Sequence, residues 1–167
     1  MKFKKHFFAI IFVAFCNNLF AQQKLTALKN GSKIDILINN AGQFFPGSIH
    51  NEADGILEQM LSVNLYSAYH LTRALLPSMI AVKSGQVFNI CSIASLNAYP
   101  NGGSYGISKY AMLGFSKNLR EEMKPYGIKV IAVYPGATLS SSWDGFDIEP
   151  KYYEIGRAHV WTPVTLD

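Results

Sequence analysis

The chain has 167 residues, 49% apolar and 16% charged, a balance that suits one globular domain with a core of its own. Its formal charge of +4 overstates its basicity: Lys2, Lys4 and Lys5 crowd the first positions, while residues 22–153 carry eleven Lys/Arg against nine Asp/Glu. That near balance argues against a nucleic-acid partner, and two cysteines, Cys16 and Cys91, argue against a disulfide framework or a metal site.

Residues 1–21 read as an export leader. A basic start is followed by nine apolar residues, Phe7 to Phe15, and then by Phe20-Ala21-Gln22 with a small residue at the expected cut. Nine residues fall far short of the roughly 20 that a bilayer span needs, so no stable membrane span is expected. A buried strand after a basic start is the alternative. The domain proper is expected over residues 22–153, and residues 154–167 are expected to be foreign to it. The string IGRAHVWTPVT, Ile155 to Thr165, resembles a conceptual translation of a sequencing-library adapter with TGA read as tryptophan at Trp161. His159 and Trp161 are therefore given no role.

Between these ends strands alternate with helices. Leu25 to Lys33 reads as the end of a helix closed by Gly31, and Ile34 to Asn39 as a short apolar strand that turns at Asn40-Ala41-Gly42. A long helix is expected from Leu61 to Val82, with Pro77 kinking or shortening its end. Gln86 to Ser92 is a second strand, Ser104 to Lys124 a second long helix, and Ile128 to Tyr134 a third strand stopped by Pro135-Gly136. This rhythm predicts an α/β fold with a parallel sheet.

The carboxyl ends of strands in such a sheet face the ligand crevice. Asn39, Ala41 and Gly42 (NNAG) sit at the first of these ends, where a small turn lets backbone approach a ligand. Ser92 ends the second strand, Tyr105 follows thirteen positions later, and Lys109 lies four beyond that. Tyr105 and Lys109 share one helix face. An ammonium beside a phenol favours the phenolate, and a proton-exchanging phenolate suits carbonyl reduction or alcohol oxidation. Bringing a phenol from ~10 to ~7 requires roughly 4 kcal/mol of preferential stabilisation. Taken singly, Ser92 reads as a turn cap, Asn64 as a cap or solvent contact, and a Tyr/Lys pair as an exposed helix face. Ser95 reads as structural, and Tyr66, Tyr69 and His70 as packing or surface residues.

Taken together, SYGISKYAMLGFSKNL, NNAG, Asn64, Ser92 and the Pro135-Gly136 turn resemble the short-chain dehydrogenase/reductases over about Leu25 to Tyr153. The resemblance implies a partial Rossmann-like, doubly wound parallel sheet comprising strands four to six of that fold. It implies an oxidoreductase moving a hydride between NAD or NADP and a carbonyl or secondary alcohol. Tyr105 would be the general acid/base, Ser92 would bond the substrate oxygen, and Lys109 would bind the nicotinamide ribose. Asn64 would hold a relay water. Asn39, Ala41 and Gly42 would line the adenosine side of the cofactor, and Pro135, Gly136 and Thr138 its nicotinamide end. It also implies a small-molecule substrate, a cytoplasmic location at odds with the leader, and a homo-oligomer formed through the two long helices.

The family's Gly-rich pyrophosphate turn has no counterpart before Asn39, where Gly31 is the lone glycine. The chain thus reads as a catalytic half without its cofactor-binding half, inactive as it stands, with IDILIN as an exposed apolar edge prone to aggregation. A non-catalytic scaffold derived from the same half-domain, or an exported version of it, are the other readings of these residues.

Overall fold

A computed structural model describes residues 34–136. The expected leader, the helix over 25–33, Thr138 and the tail lie outside the described residues. Three parallel strands form the sheet: β1 (Ile36–Asn39), β2 (Gly85–Ile90) and β3 (Ile128–Val133). They lie in the order β1-β2-β3, with Asn39 beside Asn89 and Val87 beside Val130. The contiguous parallel core expected from the sequence is therefore present. Among the described residues β1 pairs with β2 alone and forms an edge.

The strand boundaries fall within two residues of those expected, but the first long helix does not. It begins at Ile56 as α1 (Ile56–Leu61), widens into a π-helical turn (Ser62–Tyr66), and continues as α2 (Ser67–Val82). The Ser67 N–H reaches back five residues to the Ser62 carbonyl, which is the signature of that turn. Pro77 does not stop α2. Both Pro77 and Arg73, whose carbonyl loses its intrahelical donor, are on the exposed side, where water can replace the missing bond. The helix ends instead at Lys83, in the left-handed conformation with φ 50°. The second long helix is α3 (Gly103–Met123), followed by a 3₁₀ turn (Lys124–Tyr126).

One face of the sheet carries the core. Leu37, Val87 and Val130 meet Leu75 and Met79 of α2 and Leu119 and Met123 of α3. Removing this much aliphatic surface from water, at roughly 1.5–3 kcal/mol per large side chain, is the main force holding the helices to the sheet. A polar thread runs through the same layer. The Asn39 amide donates to Thr72 Oγ1 (2.9 Å) and to Asn89 Oδ1 (2.7 Å), and Asn89 in turn donates to Ser116 Oγ (2.9 Å). These bonds tie α2, β1, β2 and α3 in one fixed register. Among the described residues no helix is long and apolar enough to cross a membrane.

Candidate active site

The site is assembled at the carboxyl ends of the three strands. Two residues past β2 the backbone at Ser92 is fully extended, and its Oγ accepts from Ala94 N (3.1 Å) to open a short 3₁₀ turn, Ile93–Ser95. Ser95 Oγ accepts from Ser92 N (3.1 Å), so the two serines cap each other's end of the turn. The Ser92 hydroxyl proton remains free to face Tyr105. From β3, the Pro135 carbonyl accepts from Ile93 N (3.1 Å), bringing the Pro135-Gly136 turn beside the serine.

Tyr105 lies in the first turn of α3 and Lys109 one turn later, both turned inward. Lys109 is only 6% exposed, and its Nζ donates to the carbonyl of Ile90 (3.1 Å), the last residue of β2. That Nζ lies 5.8 Å from the Tyr105 ring centroid. A Cβ on Gly42 would stand 3.5 Å from Asn64 Oδ1 and 3.7 Å from Lys109 Nζ. Gly42, Asn64 and Lys109 therefore converge on one point, and the missing side chain leaves it open.

Asn64 is buried at the centre of the π turn. Its Oδ1 accepts from Gln43 N (2.7 Å), while its Nδ2 donates to Gln43 O (3.0 Å) and Ser108 Oγ (2.8 Å). The widened turn thus aims one amide at both the loop after β1 and the helix bearing Tyr105 and Lys109.

The electrostatics depart from the sequence-based expectation. Burial pushes the Tyr105 phenol above its ordinary range, and it is the hydrogen bond with Ser92 that opposes this, not the Lys109 charge. The physical reason is that the amine is bonded to a backbone carbonyl and is itself desolvated, which lowers its own pKa. Burial also raises the Cys91 thiol. Burial thus favours the neutral phenol at Tyr105.

Asn39 is placed differently from Ala41 and Gly42. Its amide is in the interior between Thr72 and Asn89, and its buried Oδ1 has no hydrogen-bond partner. Asn39 is thus a sheet residue, and the open part of the turn is Asn40 to Gly42. Among the described residues no cluster of three or more potential metal ligands occurs.

A profile of the short chain dehydrogenases matches residues 17–147. The chain belongs to the short-chain dehydrogenase family. It is similar to an uncharacterized oxidoreductase, YusZ, of Bacillus subtilis, with 34% identity over 110 residues, covering 66% of this chain and 39% of the relative. Its fold matches an NAD+-bound xylitol dehydrogenase at TM-score 0.66 and 28% identity, over 71% of this chain and 46% of that one. ElxO with NADP bound matches at TM-score 0.66 and 29% identity, over 71% and 48%. The chain thus spans less than half the length of these short-chain dehydrogenase relatives.

Three contributors to the site escaped the sequence reading: Gln43, Phe44 and Ser108. Ser108, three residues past Tyr105, could have been found from helical spacing, since i and i+3 share a face. Phe44 meets the Tyr105 ring edge-on, with centroids 4.8 Å apart. It carries no local signal, because its partner lies far along the chain.

Proposed function

We propose that this chain carries the proton-transfer site of an NAD- or NADP-dependent oxidoreductase that interconverts a carbonyl compound and its secondary alcohol. The observation that carries this reading is the convergence of a hydroxyl, a phenol and a buried amine (Ser92, Tyr105 and Lys109) beside the open position at Gly42. The donor set suits a nicotinamide nucleotide: a buried ammonium with N–H groups beyond the one given to Ile90 can bond ribose hydroxyls, and an exposed, side-chain-free Gly42 allows close approach. When bound, that cofactor supplies or accepts the hydride. Ser92 donates to the reacting oxygen, and Tyr105 gives its phenolic proton to that oxygen as the carbonyl is reduced, or takes it back in the reverse direction. Lys109 would bond the ribose hydroxyls beside the phenol, and Asn64 fixes the loop and helix between which the amine lies. Ala41, Pro135 and Gly136 supply turns that would face the cofactor, and Thr138, outside the described residues, is assigned to its nicotinamide end by the family resemblance.

The loops flanking the reacting groups favour an uncharged substrate. Residues 40–51 and 93–103 contain no Lys, Arg, Asp or Glu, and Phe45, Ile93, Leu96 and Tyr99 are exposed there. Among the described residues these two loops offer a carboxylate or phosphate no Lys or Arg, whereas an apolar ketone would bury surface against them. Leu65, Tyr66, Tyr69 and Phe115 line a groove between the two long helices, the face through which a second copy would associate.

The test is oxidation of NADH or NADPH by this chain with a panel of neutral ketones, in parallel with Tyr105→Phe. Turnover that vanishes in the variant supports the reading. Turnover unchanged by the variant would remove it.

A further inference from the structure

Helix α3 begins without a local cap: its N-cap residue is Gly102, which has no side chain to offer. The cap comes from about 50 residues upstream. Glu52, in the loop after β1, accepts from the Ser104 backbone N–H through Oε1 (2.8 Å) and from the Ser104 hydroxyl through Oε2. Both partners lie beside Tyr105.

Two glycines close around this carboxylate. A Cβ on Gly47 would stand 2.8 Å from Glu52 Cγ, and a Cβ on Gly103 would fall on Glu52 Oε1 and on the Gly47 carbonyl oxygen. The approach to the helix is strained into shape as well: Asn101 has φ 61° and Gly103 φ 30°, both left-handed. The same two loops are stitched by Gly47 N donating to Asn101 O (3.1 Å) and Ser48 Oγ donating to Asn101 Oδ1 (2.7 Å). Backbone geometry, side-chain vacancies and hydrogen bonds thus all accommodate one carboxylate at one point.

We propose that Glu52 is a positioning residue for Tyr105: held between Gly47 and Gly103 and bonded to Ser104, its carboxylate sets where the first turn of α3 begins and so where the phenol stands relative to Ser92. This rests on the reading of Tyr105 as the proton-transfer group. The loop that carries Glu52 also brings Phe44 against the Tyr105 ring and Gln43 against Asn64. Displacement of this one anchor reaches the phenol from two sides. A misplacement of about 1 Å at a reacting group can cost on the order of 10²-fold in rate.

The test is NMR of the full chain with ring-labelled tyrosine, the Tyr105 signal being identified by its loss in Tyr105→Phe. Glu52→Ala is expected to shift or broaden the Tyr105 signal while leaving that of Tyr126, beyond the far end of α3, in place. Glu52→Gln, which keeps an acceptor oxygen for the Ser104 N–H, is expected to restore most of the native signal. Where turnover is measurable, Glu52→Ala should lower kcat by about 10- to 100-fold with KM little changed. Should Glu52→Ala fail to fold, Ser104→Ala removes one of the two bonds alone and should give a smaller Tyr105-specific shift. A native Tyr105 signal in a folded Glu52→Ala chain, or equal shifts at all tyrosines, overturns the proposal. So does a native signal in Ser104→Ala when that variant stands in. Redox turnover that survives Tyr105→Phe overturns the proton-transfer reading instead, and the spectra distinguish the two failures.

Discussion

Lys109 Nζ donates to the carbonyl of Ile90 at 3.1 Å, joining the helix that bears Tyr105 to the last residue of the central strand. The bond makes the amine a structural link as well as a charge. It carries a desolvation cost, since the group is nearly buried and its pKa is lowered by that burial. Lys109→Met keeps the volume and removes the charge, losing one bond to a carbonyl while relieving the desolvation. Its unfolding free energy should stay within about 1–2 kcal/mol of the parent chain, whereas Tyr105-dependent turnover should fall by about 10²- to 10⁴-fold. Urea unfolding and a coupled NAD(P)H assay check the two halves. A large stability loss with activity retained would contradict the assigned role.

The polar thread across the sheet predicts a stability effect far from the reacting groups. Asn89 accepts from Asn39 and donates to Ser116, with essentially no exposure. Asn89→Ala deletes both bonds and leaves a small cavity, and should cost about 2–4 kcal/mol. Asn89→Leu should do no better, because its methyl groups would face the Asn39 amide and the Ser116 hydroxyl. The check is the urea midpoint at constant m-value.

Titration of the two phenols near the site gives a pH dependence with a definite sign. Burial raises Tyr105, and raises Tyr99 from 10.0 to about 12, with the charge of Tyr105 adding to the shift at Tyr99. Each folded-state value is higher than the unfolded one, so the folded chain holds more protons in this window. The stabilisation is complete below pH 10 and is lost as the pH climbs toward 12. Lys109 acts in the opposite sense: its folded value is lowered, so stability rises with pH through the range just below its ordinary 10.5. Melting temperature followed from pH 9 to about 12 should therefore fall at the alkaline end, less steeply in Tyr99→Phe. Because Tyr99 is 41% exposed, solvent screening makes its share smaller than the shift alone implies.

The strand–helix alternation was legible because each buried strand is a short apolar run and each helix repeats its apolar residues at 3–4 spacing, as Leu75 and Met79 or Leu119 and Met123 do. The site was legible where its residues fall at fixed spacing on one element, as Tyr105 and Lys109 do. It was not legible where function depends on contacts across the fold. At the π turn the Asn64 amide reaches Gln43 and Ser108 across the fold, contacts that the local sequence around Asn64 does not mark. The inward turn of Asn39 depends on its register with Asn89. The direction of the Tyr105 shift depends on burial, which spacing does not encode.

Gly42 and Gly103 have opposite tolerances, and their comparison separates ligand approach from folding. A methyl at Gly42 meets Asn64 Oδ1 and Lys109 Nζ at ordinary contact distances of 3.5 and 3.7 Å, so Gly42→Ala should leave stability within about 0.5 kcal/mol of the parent. It does, however, fill the open point at which those two groups converge. Binding of NADH or NADPH, followed by fluorescence titration, should weaken by about tenfold or more, the equivalent of about 1.4 kcal/mol. Gly103→Ala should behave in the reverse way. Its left-handed φ of 30° and the overlap with Glu52 Oε1 should cost about 2–4 kcal/mol of stability and displace the first turn of α3. If Gly42→Ala binds the nucleotide as well as the parent chain does, the point shared by Asn64 and Lys109 is not where the cofactor lies.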